Sequence, residues 1–241
     1  MEADKALIEQ MFDESGITLV SAVMTAHSHY DHAMDAPFIV RRFGGEVWGS
    51  ASTMTIARAE GLSQRRLVKA GDRLQAGSLT VRVFGNGHSP GGMAMDDIAD
   101  DFRVPAKARD YRYGGGFGLH LTRGRCRMLV IPSSGLPDQG LKDHPADVIF
   151  LSIAQLGLQE EGYVRRYYDA TVRASGAKLV VPIHWDDFTR PLSQPLRPLP
   201  YVVERADKGM ASIAALARSD GIEVALPLVG VPVKLPPPCD A

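Results

Sequence analysis

The chain has 241 residues, 45% hydrophobic and 23% charged, with a formal net charge of −1. That length and composition suit one soluble domain with a substantial core, and the near-neutral balance gives no electrostatic basis for binding nucleic acid or an anionic membrane. No apolar run reaches the ~20 residues of a membrane span. The start, Met-Glu-Ala-Asp-Lys, lacks the basic and apolar regions of a secretory signal, so the cytoplasm is the expected location. Cys126 and Cys239 form no metal-binding spacing and are expected as free thiols in a reducing compartment.

A first helix is predicted over residues 2–15, where Ala6, Leu7, Met11 and Phe12 recur at helical spacing and Gly16 supplies a stop. Residues 17–24 form an apolar run that reads as a buried strand. It leads straight into Thr25-Ala26-His27-Ser28-His29-Tyr30-Asp31-His32. Three of the seven histidines fall in this short stretch, at the end of a strand, where open α/β sheets bind ligands. In extended backbone His27 and His29 point the same way, whereas the adjacent Asp31 and His32 diverge. That geometry suits two neighbouring metal positions, because imidazole is the commonest biological metal ligand and a carboxylate binds metal or orients a water.

A helix over residues 33–43 follows, closed by Gly44-Gly45. Residues 46–49 read as a short strand, and Ser50 caps a helix running to about residue 60. Residues 79–84 alternate as a strand and run into Gly85-Asn86-Gly87-His88-Ser89-Pro90-Gly91-Gly92, where glycine lets the backbone bring His88 close to a metal. Residues 93–113 are irregular, acidic first and basic later, with Phe102, Tyr111 and Tyr113 interleaved; such a connection reads as a lid or binding loop. Tyr30, Tyr111 and Tyr113 are candidate substrate contacts.

Residues 116–121 and 126–131 read as a hairpin, with His120 structural in mid-strand and Pro132-Ser133-Ser134-Gly135 at its end. A strand over 147–153 and a helix over 160–174 precede another apolar strand, which ends in Pro182-Ile183-His184-Trp185. Residues 191–200 read as an extended proline-rich arm, 202–218 as a last helix and 222–226 as a last strand. His144 has no strand before it and is left out of the site.

His-x-His-x-Asp-His after a hydrophobic strand resembles the metallo-β-lactamase-fold hydrolases. Pro-x-His-Trp-x-x-Phe around His184 is similar to the last-histidine motif of the branch containing ascorbate-6-phosphate lactonase and N-acyl phosphatidylethanolamine phospholipase D. The resemblance spans residues 17–226. It implies an α/β fold, an αββα sandwich of two mixed sheets flanked by helices, forming a single domain over residues 1–241. It also implies a metal site, with His27, His29 and His88 on one metal and Asp31, His32 and His184 on a second. Zinc is the expected metal, one or two per chain, with manganese or iron as substitutes. The implied activity is hydrolysis of a small phosphate ester, lactone or carboxyl ester, with Asp31 as a catalytic carboxylate. An iron-binding redox member and a degenerate, non-catalytic metal-binding member are the alternatives.

The sequence departs from the family pattern twice. Where the family places a bridging aspartate, this chain has Ser133-Ser134, with Ser134 at the bridging position and Asp138 as the nearest aspartate. Fewer strands precede the first histidines than in the family, so the N-terminal sheet is expected to be short. An uncovered edge invites pairing, and a homodimer or higher oligomer is the expected cap.

Overall fold

A computed structural model describes residues 1–191, 193–227 and 231–240. The protein is mixed α/β, with two sheets and flanking helices. Its residues group into two compact units.

The first unit comprises Met1–Ala70 and Gly92–Gly116. Helix α1 (Lys5–Glu14) is capped by Asp4, whose carboxylate accepts from Leu7 N at 3.1 Å. The strand expected over 17–24 forms only as β1 (Ala22–Met24). Its pairing partner β2 (Glu46–Gly49) has four residues, so the ladder runs only from Ala22↔Glu46 to Met24↔Trp48. Residues 17–21 lie outside it, and Leu19 is 75% exposed. At Gly45, with φ +82°, a Cβ would come within 2.5 Å of Val20 O, so only glycine admits this close turn.

The single helix expected over 33–43 is two: α2 (Tyr30–Ala33) and α3 (Ala36–Phe43). Pro37 sits in the first turn of α3, where its missing N–H costs nothing, whereas in a helix continuing from α2 that N–H would be needed. Helix α4 (Ala51–Ala59) is capped by Ser50 as expected, and an unforeseen strand β3 (Arg65–Leu67) completes a three-stranded parallel sheet in the order β1-β2-β3. Two apolar clusters support it. One contains Val40, Val47 and Leu62. The other joins Ala33 and Ile56 to Ile98, Phe102, Ala106 and Tyr111. The irregular stretch 93–113 is therefore partly core, which is why its aromatics are interleaved with charges.

The second unit comprises Gly71–Gly91 and the chain from Phe117 onward. It holds β4 (Arg73–Ala76), β5 (Leu79–Gly85), β6 (Phe117–Arg123), β7 (Cys126–Ile131), β8 (Val148–Ser152), helix α5 (Glu161–Tyr168), β9 (Leu179–Ile183), helix α6 (Ala206–Ser219) and β10 (Glu223–Val224). The sheet order is β10-β9-β8-β7-β6-β5-β4. Strands β4 to β7 pair antiparallel and β7 to β10 parallel. Two successive reversals make β5 run the same way as β7, β8 and β9, so the carboxyl ends of these four strands share one edge. Phe84, Leu129, Ile149, Tyr167, Val180 and Ile213 are among the residues of the main core. After α5 the chain continues as a π-helical turn, Asp169–Arg173, in place of the α-helix expected through 174; Thr171 Oγ1 donates to Tyr167 O at 2.7 Å, a back-bond that loosens a helix. Of the expected proline-rich arm, residue 192 lies outside the described residues.

The cysteine reading needs correction. Cys126 and Cys239 are bonded to each other, with Cα atoms 4.7 Å apart across 113 positions of sequence. The bond fixes the C-terminal tail to the start of β7, beside Val148, Leu179 and Val181. A pairing at that separation leaves no trace in the spacing, and it removes the free thiols that argued for a reducing compartment. Among the described residues, no helix is long and apolar enough to cross a membrane.

Candidate metal centre

In the first unit, β1 ends at Met24 and the chain enters the histidine stretch through Thr25, whose N–H donates to Trp48 O at 2.9 Å. Behind the histidines lies a buried hydroxyl network. Thr25 Oγ1 and Thr53 Oγ1 are 2.8 Å apart, Ser28 Oγ and Thr53 Oγ1 2.9 Å, and Ser28 Oγ and Ser50 Oγ 3.1 Å. A Cβ at Gly49 would fall 2.4 Å from Thr25 Oγ1 and 2.5 Å from Thr53 Oγ1, so the network needs glycine there. Ser28 N donates to Tyr113 O at 2.9 Å, which pins the stretch from its other side.

On this frame His27 is 2% exposed, and its Nε2 lies 3.1 Å from His29 Nδ1. His29 Nε2 faces Ala94 O at 3.4 Å, and a carbonyl only accepts, so the proton of neutral His29 sits on Nε2 and the Nδ1 lone pair points at His27. Burial lowers the His29 pKa and so favours that neutral form, with the Ala94 carbonyl and the Asp31 charge opposing. Two nitrogens sharing one tetrahedral metal at ~2.0–2.1 Å stand roughly 3.3 Å apart, so the pair fits a single divalent ion.

Asp31 and His32 lie on α2 rather than in extended backbone. The Asp31 Oδ2 to His32 Nε2 distance is 3.2 Å, and the His32 ring centroid is 3.9 Å from that of His27. A carboxylate and an imidazole side by side are a donor set suited to zinc, manganese or iron. Among the candidate tyrosines, the Tyr113 ring stands 5.4 Å from that of His27 and 6.1 Å from that of His29. Tyr30 packs against the Ile56–Phe102 cluster. Tyr111 is corrected: it is 2% exposed, edge-on to Phe102, and burial pushes its hydroxyl up to about 12, so it is a core residue out of reach of substrate.

In the second unit, His88 and His184 follow β5 and β9 at the common carboxyl edge. His88 Nδ1 donates to Ser89 O at 2.9 Å, which places the proton of neutral His88 on Nδ1. Ser134 N donates to Ser89 Oγ at 3.0 Å, and Asn86 Nδ2 donates to Ser133 O at 3.1 Å, so the turn after β7 is tied to the His88 turn. Ser134 is fully buried and its hydroxyl donates to Ala154 O at 2.5 Å. Asp138 packs beside Gly85, where a Cβ would meet its carboxylate at 1.9 Å. His184 adopts φ +56°, an uncommon conformation for a residue with a Cβ, and its ring lies 5.3 Å from that of Phe188.

His120 and His144, set aside from the sequence, form a buried pair in this unit. Their rings are 5.5 Å apart, and His120 Nε2 donates to Pro145 O at 2.9 Å. Sequence reading missed the hydroxyl network and the Ala94 carbonyl. Serines and threonines tens of positions apart give no local signal, and a backbone carbonyl has no side chain to read.

The fold is the metallo-β-lactamase fold. No family model matches it. It is 25% identical over 137 residues to a UPF0173 protein of Pyrococcus furiosus, covering 57% of this chain and 64% of that protein. It is 26% identical over 180 residues to a UPF0173 metal-dependent hydrolase of Solibacter usitatus, covering 71% and 70%. The chain thus spans less than two thirds of the Pyrococcus relative. Among solved structures, it is similar to the metallo-β-lactamase fold protein YhfI from Bacillus subtilis, with a TM-score of 0.51, 15% identity, and coverage of 94% of this chain and 82% of that one.

Proposed function

We propose that this chain is a metal-dependent hydrolase acting on a small phosphate ester, lactone or carboxyl ester. The observation that carries the reading is the 3.1 Å approach of His27 Nε2 to His29 Nδ1, two imidazole nitrogens aimed at one point. The Solibacter relative, described as a metal-dependent hydrolase, supports it. We assign His88 to the metal of His27 and His29, and His184 to that of Asp31 and His32, as the family resemblance implies. Zinc suits the three-histidine set. When bound, the metal supplies hydroxide at neutral pH by lowering the pKa of water to about 7.

The chain's own residues then orient the reaction. With a single metal bound, Asp31 instead orients the attacking water by accepting its hydrogen bond, with His32 Nε2 3.2 Å from the carboxylate. Tyr113 offers a ring face to the substrate next to His27. The short three-stranded sheet leaves β1 as an edge, with Ile17 and Leu19 exposed, and a second copy of the chain covers it in this reading. Sedimentation gives the mass directly, and a strict monomer removes the dimer.

The hydrolase test is an assay of chromogenic phosphoesters, lactones and carboxyl esters before and after dialysis against a strong chelator. Turnover is expected to vanish with the metal and return with zinc. Turnover that persists in metal-free protein overturns the reading.

A further inference from the structure

The surface beside His184 carries information on the substrate. His184 follows Ile183, whose carbonyl accepts from Ile153 N at 3.0 Å. Two residues on, Gln155 binds a separate stretch of chain: its side-chain amide donates to Val203 O at 3.3 Å, and its N–H donates to the buried Glu204 carboxylate at 2.6 Å. Leu158 N donates to Gln155 O at 3.2 Å. These bonds hold Leu158 and the run Tyr201-Val202-Val203 close to the end of β9, and the Phe188 ring stands against His184 on the same unit.

All five of these apolar side chains face solvent. Val202 is 94% exposed, Tyr201 68%, Leu158 50%, Val203 48% and Phe188 38%. Exposed apolar side chains gathered beside a polar residue such as His184 are a candidate binding surface. Its charges point the same way. The cations between Trp185 and Arg205 are Arg190, Arg197 and Arg205. Arg205 makes a bidentate pair with Asp207 at 2.8 and 3.0 Å, Arg197 lies 3.9 Å from Asp187, and Arg190 donates to Gln194. A phosphate ester calls for an arginine fork or a cluster of donors, and each arginine of this stretch already has a partner.

We propose that Phe188, Leu158 and Tyr201-Val202-Val203 form the subsite for the apolar group of a carboxyl ester or lactone, which makes such an ester, rather than a phosphate ester, the substrate class. The inference rests on the hydrolase reading above. In the reaction, the water oxygen bonds to the acyl carbon, the acyl–oxygen bond breaks, and the departing alkoxide takes up a proton to leave as the alcohol. No redox partner is needed. The apolar group lies along the rim while the carbonyl is held on the His184 side.

The test uses the full chain loaded with zinc and p-nitrophenyl esters of acetate, butyrate, hexanoate and octanoate, with bis(p-nitrophenyl) phosphate alongside. Each fully buried methylene is worth about fourfold. A partly open rim is therefore expected to raise kcat/KM on the order of tenfold or more from acetate to octanoate, with the phosphodiester slower than every ester. Val202→Asp alters a side chain outside the core, and its fold is checked by melting. It is expected to lower the octanoate-to-acetate ratio by roughly tenfold. A flat chain-length series, or a phosphodiester faster than the esters, overturns the proposal. Absence of turnover on all five compounds defeats the hydrolase reading itself. If Val202→Asp changes the sedimenting mass and slows all esters equally, the rim is a subunit contact and the proposal is wrong.

Discussion

His27 Nε2 and His29 Nδ1 approach to 3.1 Å, and the opposite nitrogen of His29 faces Ala94 O at 3.4 Å. The carbonyl fixes one tautomer of His29. Its Nδ1 is then a pure acceptor, and the space between the rings takes either one proton, carried by His27, or one metal ion. The stretch after β1 thus holds two imidazole nitrogens at a spacing that fits one shared ion.

His27→Ala and His29→Ala are each expected to reduce bound zinc and to lower turnover at least about 100-fold, since loss of even an outer partner of a metal ligand costs 10–100-fold. His88→Ala is expected to do the same. His120→Ala should leave metal content unchanged. Metal analysis of each purified variant, with turnover beside it, checks the set. A His27→Ala protein that keeps its full metal content sinks the ligand assignment.

The hydroxyls behind these histidines make a separate claim. Thr53 Oγ1 touches both Thr25 Oγ1 and Ser28 Oγ, and all three residues are buried. Thr53→Val keeps the shape and strips partners from two buried hydroxyls, which costs about 1–3 kcal/mol. Urea unfolding of the metal-free protein should show that loss. Unchanged stability would mean that water or a rearranged network satisfies the hydroxyls.

The histidine turns were legible in the sequence because each ends an apolar strand and the first concentrates a rare residue type. His88 was legible from the glycines around it, and His120 from its place inside an alternating strand. What escaped was set by tertiary contacts. Residues 93–113 read as a lid or binding loop because they are long, irregular and rich in charge, yet Ile98, Phe102 and Tyr111 belong to a core with Ala33 of α2 and Ile56 of α4. The Cys126–Cys239 pair joins two points that sequence separation hides, and β3 and β4 are too short and too charged for a strand pattern to show. The strand over 17–24 was overextended because its apolar run outlasts the ladder that β2 provides.

The two loop tyrosines should separate cleanly. Tyr111→Ala opens a cavity in the Ile56–Phe102 cluster and is expected to cost about 3–5 kcal/mol, as other buried aromatic truncations do. Tyr113→Ala removes a half-buried ring beside His27 and is expected to raise KM or lower kcat with less effect on stability. Denaturant midpoints and steady-state kinetics on both variants decide it. Equal loss of stability would place Tyr113 in the core as well.

Acid sensitivity follows from the buried pair His120 and His144. Desolvation lowers both pKa values, and Arg82 pushes the same way on each. A histidine whose folded pKa lies below the unfolded ~6.5 adds stability that is fully present above that value. The contribution is lost as pH falls from there through the folded pKa, because the unfolded chain takes up the proton first. The melting temperature is expected to drop between pH 7 and pH 5, and less so in His120→Gln, which keeps a donor toward Pro145 O without titrating. Identical acid slopes in the two proteins would show that other groups carry the effect.

The bridging position gives the last prediction. Two divalent ions a few ångströms apart repel, and a carboxylate between them offsets part of that repulsion. Ser134 brings no charge. It is fully buried, and its one hydroxyl proton goes to Ala154 O. Asp138, the nearest aspartate in sequence, packs beside Gly85. Calorimetric titration of metal-free protein with zinc is therefore expected to give one tight site and a second at least about tenfold weaker, or a single site. Ser134→Asp tests the cause. It places a carboxylate against the Ala154 carbonyl, so the metal-free variant should lose stability, because a buried, unpaired charge is costly. Zinc should restore more stability to this variant than to the parent, since ligand binding to the folded state stabilises by mass action. Two equally tight zinc ions in the unmodified protein would mean that some group other than Ser134 bridges them.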